Sequence, residues 1–325
     1  MTTVSAIIVN YNGGSDLGAA VDSLLSQSRP PDEIIVVDNA STDQSIAQLS
    51  TAGCVRVVQS GSNLGFTGGN NLGMQHASGD YIALLNSDAA ADRDWIAQLV
   101  ATLDGNPDAA AAMGKILFAW DRARFDQAGA LFNDVGNYWG RGFHEVDEGQ
   151  YDLAGEVAGV TGCAMILRRA ALRGAPLFDD DIFMYGEELD LTIRLRAAGF
   201  RLLYEPRAVV FHKGMESVRR LTGQARLFQQ FHSNRNRAKL LAKYYPLPIL
   251  FGSMHLVVGS FLYWNLKFLR LAGARYALRA IREQVRYAIR GLRERRTLPS
   301  TWTEWMTRQT LREILRQKRT MEQVA

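Results

Sequence analysis

One stretch of the chain reads Tyr81-Ile82-Ala83-Leu84-Leu85-Asn86-Ser87-Asp88, a mostly apolar run that ends in an Asn and an Asp. Its apolar part shows no polar alternation, which is typical of a strand covered by helices on both faces of a parallel sheet. Ligands of open α/β sheets bind beyond the carboxyl ends of the strands, so Asp88 is placed where a ligand is expected. An Asn-x-Asp can also simply turn the chain and cap the next helix, and this stretch alone leaves both interpretations open.

The composition around this stretch is that of a globular protein. The chain has 325 residues, of which 47% are apolar and 22% charged, so it is long enough for one large domain or one domain with an appendage and does not have a disordered composition. Cys54 and Cys163 match no metal or redox spacing, which predicts reduced thiols in a cytosolic protein. The first residues lack the basic and apolar parts of a signal peptide, which predicts a cytoplasmic start.

Charge divides the chain into two parts. Residues 1–212 carry 14 Lys and Arg against 27 Asp and Glu, whereas residues 213–325 carry 23 against 6. The net charges are therefore −13 and +17, which together give the overall +4. The acidic part indicates an enzyme core that can bind a metal, and the basic part predicts an anionic partner such as a phospholipid surface or nucleic acid.

Strand-like runs alternate with helical patterns through the first hundred residues. The runs before Tyr81 lie at 4–9, 33–37 and 55–58. Such alternation predicts an α/β fold with right-handed crossovers and a mainly parallel sheet, which brings Asn10, Asp38 and Asn86 to one edge. After the second run, Ser41 and Asp43 predict the start of a helix.

A glycine-rich segment, Asn63-Leu64-Gly65-Phe66-Thr67-Gly68-Gly69-Asn70-Asn71, precedes a helical pattern. We expect a loop at the amino end of a helix, whose backbone N–H groups can approach a phosphate. The segment is neither a Gly-x-Gly-x-x-Gly after the first strand nor a Gly-Lys-Ser/Thr loop, so it does not predict a dinucleotide or P-loop site. Turn formation and ligand binding both remain open for these glycines.

Three carboxylates, Glu187, Glu188 and Asp190, fall within four residues at a predicted helix start. Acids favour the first turn of a helix, and Asp190 can pair with Arg194 four residues on, so ordinary helix chemistry explains part of the cluster. Their mutual repulsion nevertheless calls for a cation, a hydrogen-bond donor or a proton, which suits a general base. His212 ends another strand-like run and is either structural or a candidate metal ligand.

Seven short motifs lie along the chain. They are Asn10-Tyr11-Asn12, Asp38 to Asp43, Asn63 to Phe66 with Gly68 to Asn71, Leu84 to Asp88 with Asp94-Trp95, Val160-Thr161-Gly162, Glu187 to Leu191, and His212. These motifs occur in the order seen in inverting family 2 glycosyltransferases, and the chain resembles their rhamnosyltransferase-like branch over about residues 4–245. The segment with Asn-Leu-Gly-Phe and Gly-Gly-Asn-Asn is the most specific of them.

The resemblance implies a GT-A fold, an α/β fold with a mixed, mainly parallel sheet that binds a nucleotide sugar across the strand tips. It also implies a divalent cation, Mg²⁺ or Mn²⁺, at the place of the family's Asp-x-Asp. That place holds Asn86-Ser87-Asp88 here, so Asp88 would bind the metal and His212 would be its second ligand. By the same similarity Tyr11, Asp38 and Asn39 would hold the nucleoside, and Gly65, Gly69, Asn70 and Asn86 would line the ribose, diphosphate and sugar.

The catalytic base of the family is the second residue of a Glu-Asp pair, which is Glu188 in this sequence. A Glu in place of the Asp is a departure from the family, and it leaves Glu187 as the alternative base. Gly162 and Asp190, with Glu187, are expected on the acceptor side or in support. Gly162 lies in Val157 to Leu167, an apolar run that predicts a strand interrupted by Gly159 and Gly162.

The implied reaction is transfer of L-rhamnose from dTDP-L-rhamnose, with inversion, to a saccharide or lipid-linked saccharide acceptor in cell-envelope polysaccharide synthesis. One alternative is a transferase that uses a UDP- or GDP-linked sugar. Another is a non-catalytic, membrane-bound scaffold subunit with the same fold. The catalytic domain is expected over 1–215.

A basic helical region is expected over 216–325. Tyr244 to Leu266 contains no Asp, Glu, Lys or Arg, but its densest part, Ile249 to Trp264, is only 16 residues long and basic residues flank both sides. We therefore expect an interfacial or re-entrant segment rather than a crossing. Apolar residues and arginines then recur at three- and four-residue spacing, which predicts a basic amphipathic helix. The arginines are Arg275, Arg279, Arg282, Arg286, Arg290 and Arg293.

Such a helix suits an anionic membrane surface, a homo-oligomer interface through the C-terminal helices, or nucleic acid. The membrane is the partner we expect, and nucleic acid is not. The predicted location is the cytoplasmic face of the inner or plasma membrane, with peripheral attachment.

Overall fold

The structure is a computed structural model that describes residues 2–49, 53–214 and 223–308. The chain divides into two compact units. The first comprises 1–130 and 139–214, and the second comprises 131–138 and 215–325.

The chain as far as His212 is built of strands and helices. The strands are β1 (Val4–Asn10), β2 (Glu33–Asp38), β3 (Val55–Gln59), β4 (Tyr81–Leu85), β5 (Ala89–Ala91), β6 (Ala109–Phe118), β7 (Asp121–Gln127), β8 (Ala130–Phe132), β9 (Tyr138–Gly140), β10 (Gly155–Glu156), β11 (Ala164–Arg168) and β12 (Arg201–His212). The helices are α1 (Ser15–Leu25), α2 (Gly65–His76), α3 (Trp95–Asp104) and α4 (Glu187–Ala197).

Ten of the strands form one mixed, mostly parallel sheet, which confirms the predicted α/β class. The order is β10-β12-β6-β11-β4-β1-β2-β3, with β5 paired to β12 and β7 to β6. The strand β11 runs antiparallel between β4 and β6, whereas β4, β1, β2 and β3 are parallel to one another. Every residue of β4 and β6 is buried, as expected for central strands of an α/β sheet.

The parallel strands deliver their polar ends to one edge of the sheet. Asn10 ends β1 and lies in register with Asp38 at the end of β2, and Asn86 follows β4 next to β1. The three side chains that the sequence places together therefore share this edge, since parallel strands end on the same side.

Three local predictions are wrong. Turns replace the helix expected after β2, because the side chain of Asn12 accepts the N–H of Thr42 at 2.7 Å and so competes with helical bonding. The glycine segment is not a loop before α2 but the first turns of it, where a Cβ on Gly69 would lie 2.6 Å from Val9. The run Val157 to Leu167 is a strand only from Ala164 onward.

A large bulge divides β12. Glu205 lies opposite Gly114 of β6, but the next paired residue is Val209, opposite Lys115, so three residues of β12 have no partner in β6. A Cβ on Gly114 would collide with the carbonyl oxygen of Ala208, which makes glycine the residue that this close approach requires. Beyond the bulge the pairing resumes and ends with His212 opposite Phe118.

The described part of the second unit, residues 131–138 and 223–308, contains three long helices and a 3₁₀ turn at Ser300–Trp305. The helices are α5 (Gly223–Tyr244), α6 (Leu247–Ala272) and α7 (Ala274–Arg293). Only Gly273 separates α6 from α7, and its positive φ lets the chain reverse there. Helix α7 packs against both α5 and α6, around a small apolar core that includes Phe231, Phe268 and Ala280. Helix α6 is long and apolar enough to cross a membrane, and only 11% of its most apolar window is buried.

Candidate active site

The site lies at the carboxyl edge of the sheet, where the end of β4 meets the end of β12. The short strand β5 pairs with β12 and aligns Ala89 with His212, so Asp88 lies beside that histidine. The backbone N–H of Lys213 also donates to the carbonyl of Asp88 at 3.0 Å. Asp88 and His212, 124 residues apart, are thus fixed together by main-chain pairing.

Both ring nitrogens of His212 face carboxylates. Its Nε2 lies 3.2 Å from Oδ1 of Asp88, and its Nδ1 lies 2.7 Å from Oδ2 of Asp126. Burial opposes the charged imidazole, but the Cys163 thiol and the two carboxylates outweigh burial and raise the pKa of His212 well above its ordinary value. Burial likewise acts to raise the pKa of Asp88, while the hydrogen bond and charge of His212 lower it further than burial raises it.

The residues at this edge fit a divalent cation with two protein ligands. Within residues 2–49, 53–214 and 223–308, no group of three or more His, Cys, Asp or Glu side chains is arranged to hold a metal. Asp88 and Nε2 of His212 nevertheless converge, and Asp126 on the other nitrogen gives the carboxylate–histidine arrangement that orients metal-binding imidazoles. A cation with few protein ligands suits Mg²⁺ or Mn²⁺ that also binds substrate phosphates.

Glu188 is held by the segment that precedes β11. The Thr161 hydroxyl donates to Oε1 of Glu188 at 2.6 Å, and the Gly162 N–H donates to the same oxygen at 2.7 Å. Burial raises the pKa of Glu188 despite these two donors, and the charges of Asp126 and His212 also act on it. The base candidate and the His212 group therefore belong to one electrostatic environment.

Glu187 is buried, with 6% of its surface exposed, and its Oε2 has no hydrogen-bond partner among the residues described. Burial and the charge of Glu188 raise its pKa to about 8. A carboxyl group with such a pKa is mostly protonated at neutral pH. Glu188 is more accessible than Glu187, which favours Glu188 of the two for contact with a substrate.

The raised pKa of Glu187 predicts a pH-dependent stability. The folded chain binds this proton more tightly than the unfolded chain, so stability is full below about pH 4.5 and falls as pH rises toward about 8. Glu187→Gln removes the charge, and we expect it to be more stable than the wild type at pH 8.5 by on the order of 2 kcal/mol but not at pH 5. Urea unfolding at both pH values measures this, with exposed Glu148→Gln as the control. Equal effects of Glu187→Gln at the two pH values would contradict the assignment.

Asp190 forms an ion pair along its own helix. Its Oδ2 accepts from Nε of Arg194 at 2.7 Å, the pairing expected four residues apart on a helix, and its side chain is buried. Arg194 also donates to the carbonyl of Leu177 at 2.6 Å. The geometry around Asp190 is thus that of a structural ion pair.

The residues expected around the donor lie at the neighbouring strand tips. Asp38 is buried and accepts the N–H of Ser41 at 3.1 Å, and Asn39 donates to the carbonyl of Gly65 at 2.9 Å. Tyr11 is 52% exposed beside them. Gly65 has φ of +72°.

Three more of the predicted residues lie in close packing. Gly69 packs on Val9, and Asn70 is buried with its side-chain amide donating to the backbone carbonyl of Phe66. Gly162 packs against the ring of Phe66, where a Cβ would lie 2.8 Å from it.

Sequence reasoning missed Asp126 and Cys163 as neighbours of His212. Asp126 lies on β7 within an alternating run, with no strand-tip or motif signal to mark it. The sequence predicted only a reduced thiol at Cys163, yet burial raises its pKa to about 11 and His212 acts on it. Thr161 stands within a quoted motif, but its bond to Glu188 follows only from the fold.

Parts of this chain are similar in sequence to known proteins. An uncharacterized glycosyltransferase of Haemophilus influenzae is 31% identical over 118 residues, which are 35% of this chain and 36% of that protein. The chain thus spans about a third of that relative. The N-acetylglucosaminyl-diphospho-decaprenol L-rhamnosyltransferase of Mycobacterium tuberculosis is 28% identical over 244 residues, 68% of this chain and 79% of that enzyme.

A solved structure has the same fold. It is the mannosyltransferase of Pyrobaculum calidifontis in complex with GDP-Man and Mn²⁺, which is 18% identical to this chain. The superposition covers 89% of this chain and 75% of the mannosyltransferase chain, with a TM-score of 0.53. The family described as "Glycosyl transferase family 2" matches residues 5–174, just over half of the chain. This chain belongs to glycosyltransferase family 2.

Proposed function

We propose that the chain is an inverting, metal-dependent glycosyltransferase that moves L-rhamnose from dTDP-L-rhamnose to a lipid-linked saccharide acceptor in cell-envelope polysaccharide synthesis. The position of Glu188 is the observation that supports the proposed transferase activity. Two donors hold one of its oxygens, and it shares the site of Asp88 and His212. The Mycobacterium tuberculosis relative supports the sugar and the lipid diphosphate of the acceptor.

Glu188 acts as the general base in this reaction. It takes the proton of an acceptor hydroxyl while that oxygen attacks the anomeric carbon, and the bond to the nucleoside diphosphate breaks on the opposite face. One displacement forms the glycosidic bond, inverts the anomeric centre and releases the diphosphate. The hydrogen bonds from Thr161 and Gly162 fix the direction of the carboxylate, so the acceptor meets a base that is already oriented.

Asp88 and His212 would hold Mg²⁺ or Mn²⁺, and a bound cation would supply Lewis-acid stabilisation of the leaving diphosphate. Asp126 keeps His212 oriented through Nδ1. Tyr11, Asp38 and Asn39 bind the nucleoside, and the polar tip at Asn86 with Gly65, Gly69 and Asn70 shapes the diphosphate and sugar pocket. Gly162, Glu187 and Asp190 support the acceptor side.

A donor screen tests the sugar assignment. With Mn²⁺ present, we expect dTDP-L-rhamnose to raise the melting temperature and to be hydrolysed or transferred faster than UDP- or GDP-linked sugars. NMR of the anomeric proton should show inverted product. Preference for a UDP- or GDP-sugar would change the assigned donor but not the assignment as a transferase. If no donor is turned over, the scaffold alternative is favoured.

The second unit suits attachment to a membrane. We place the catalytic domain at 1–215 and the basic helical region at 216–325, with the enzyme on the cytoplasmic face of the inner or plasma membrane. Basic residues outnumber acidic ones by 23 to 6 beyond residue 212, which supports an anionic surface as partner. A homo-oligomer through the same helices is the competing candidate.

A further inference from the structure

Helix α7 has its large aliphatic residues on the outside. Five of them recur every three or four residues and are 43–66% exposed. At 100° per residue they cover an arc of about 80° on one side of the helix. We call them the α7 stripe: Leu278, Ile281, Val285, Ile289 and Leu292.

The opposite side of α7 is packed. Its buried residues are Ala277, Ala280, Gln284, Tyr287 and Gly291. A Cβ on Gly291 would collide with the carbonyl of Lys239 on α5. A helix normally buries its large apolar residues and exposes the others. Here the small residues fit α7 to α5, so the α7 stripe is not the helix's own core face and is available for another environment.

Arginines line one flank of the α7 stripe. The six arginines between Arg275 and Arg293 occupy the adjoining arc of about 80° at the same helical periodicity. Glu283 is the sole acidic residue of α7. Two copies packed stripe to stripe would bring these arginine rows near one another, whereas anionic lipid headgroups would neutralise them.

Helix α6 also has an exposed apolar face. Seven apolar residues spaced by three or four are 42–71% exposed on it. Its buried residues, Ser253, Val257 and Phe268, lie on the other side. The exposed residues are Leu247, Phe251, Met254, Val258, Leu262, Leu266 and Leu269.

Contacts of α6 argue against a crossing. Asn265 of α6 and Gln284 of α7 exchange amide hydrogen bonds of 2.9 and 3.3 Å, so the two helices form an antiparallel hairpin. A crossing α6 would carry the arginine-rich α7 into the hydrocarbon with it. Arg237 of α5 would follow, since it donates to Ser260 at 3.0 Å and lies over Phe261. Arginine is among the most costly residues at that depth.

We propose that α6 and α7 lie in the plane of an anionic bilayer, with the α7 stripe and the exposed face of α6 among the acyl chains, the arginines at the phosphates, and neither helix crossing. This rests on the membrane attachment proposed above and specifies its geometry. The occupant is a lipid surface with negatively charged headgroups.

Vesicle binding by the full chain tests the surface. We expect sedimentation with phosphatidylcholine–phosphatidylglycerol vesicles, weakened by high salt and nearly absent with phosphatidylcholine alone. Leu278→Glu with Val285→Glu should lower the bound fraction at least about tenfold, because it places charge on the stripe that would contact the acyl chains. Leu153→Glu is the matched control, since Leu153 is 88% exposed in the first unit. Unchanged binding of the double variant, or no binding of the wild type, would overturn the proposal.

Extraction and oligomeric state test the geometry. Alkaline carbonate should release the wild-type chain from membranes of producing cells, as expected for in-plane helices. Retention in the membrane pellet would show a crossing and overturn the inference. A dimer in sedimentation equilibrium that the double variant dissociates, without vesicle binding, would assign the stripes to a second copy instead. Donor hydrolysis is measured in parallel. A chain that hydrolyses the donor but does not bind vesicles would contradict the membrane geometry and leave the proposed transfer activity intact.

Discussion

Glu188→Gln is expected to fold, to bind the nucleotide sugar as the wild type does, and to transfer it about 10²–10⁴-fold more slowly. The amide keeps the shape of the side chain but cannot accept the acceptor proton, and general bases contribute about this factor. Thr161 can still donate to the amide oxygen, so the local structure should persist. Single-turnover transfer rates and donor titration calorimetry measure the two parts separately.

The pH profile sharpens this result. The pKa of Glu188 is raised above that of an ordinary carboxyl, and a base works only when deprotonated, so kcat/KM of the wild type should fall as pH decreases through that raised value. A Glu188→Gln variant with more than about a tenth of the wild-type rate would rule out Glu188 as base. If Glu187→Gln instead abolishes transfer at every pH, the base is Glu187.

Asp88→Ala is expected to abolish Mn²⁺-dependent transfer, with a loss of about 10³-fold. The substitution removes the carboxylate that faces Nε2 of His212 and leaves one protein ligand at the site. Asn86→Ala removes an amide 3.4 Å from the same nitrogen but no charge, so its loss should be smaller by at least about tenfold.

Mn²⁺ binding gives a readout of this site that does not depend on turnover. Electron paramagnetic resonance of Mn²⁺ in the presence of the nucleoside diphosphate should show weaker binding to Asp88→Ala and near-normal binding to Asn86→Ala. Equal Mn²⁺ affinity in the wild type and Asp88→Ala would remove Asp88 from the metal site. If transfer by His212→Ala depends on the metal as in the wild type, His212 is not a metal ligand.

Regular patterns made the sheet edge predictable. The apolar runs before Asn10, Asp38 and Asn86 each identify a buried parallel strand, and parallel strands place their ends together whatever lies between them. Helix α7 was predicted in the same way, from the three- and four-residue spacing of its apolar residues and arginines. The helix expected at Ser41 failed because polar side chains of another loop, among them Asn12, bond its backbone first.

The remaining neighbours of His212 depend on long-range pairing. Asp126 reaches the imidazole only because β7 pairs with β6 and β6 pairs with β12. Glu188 meets Gly162 only because the segment before β11 passes the start of α4. Neither relation leaves a periodic signal in the sequence, since both are set by the order of strands in the sheet rather than by any local preference.

Because of the bulge in β12, the orientation of His212 depends on the number of residues in the bulge more than on their identity. Side chains alternate between the faces of a strand, so removing one residue between Glu205 and Val209 would turn His212 away from Asp88 while leaving its identity untouched. Substitution of the exposed Arg207 among these three unpaired residues should be tolerated, but insertions or deletions should not. An alignment that opens a gap there would therefore mark a chain in which this histidine has lost its place beside the aspartate.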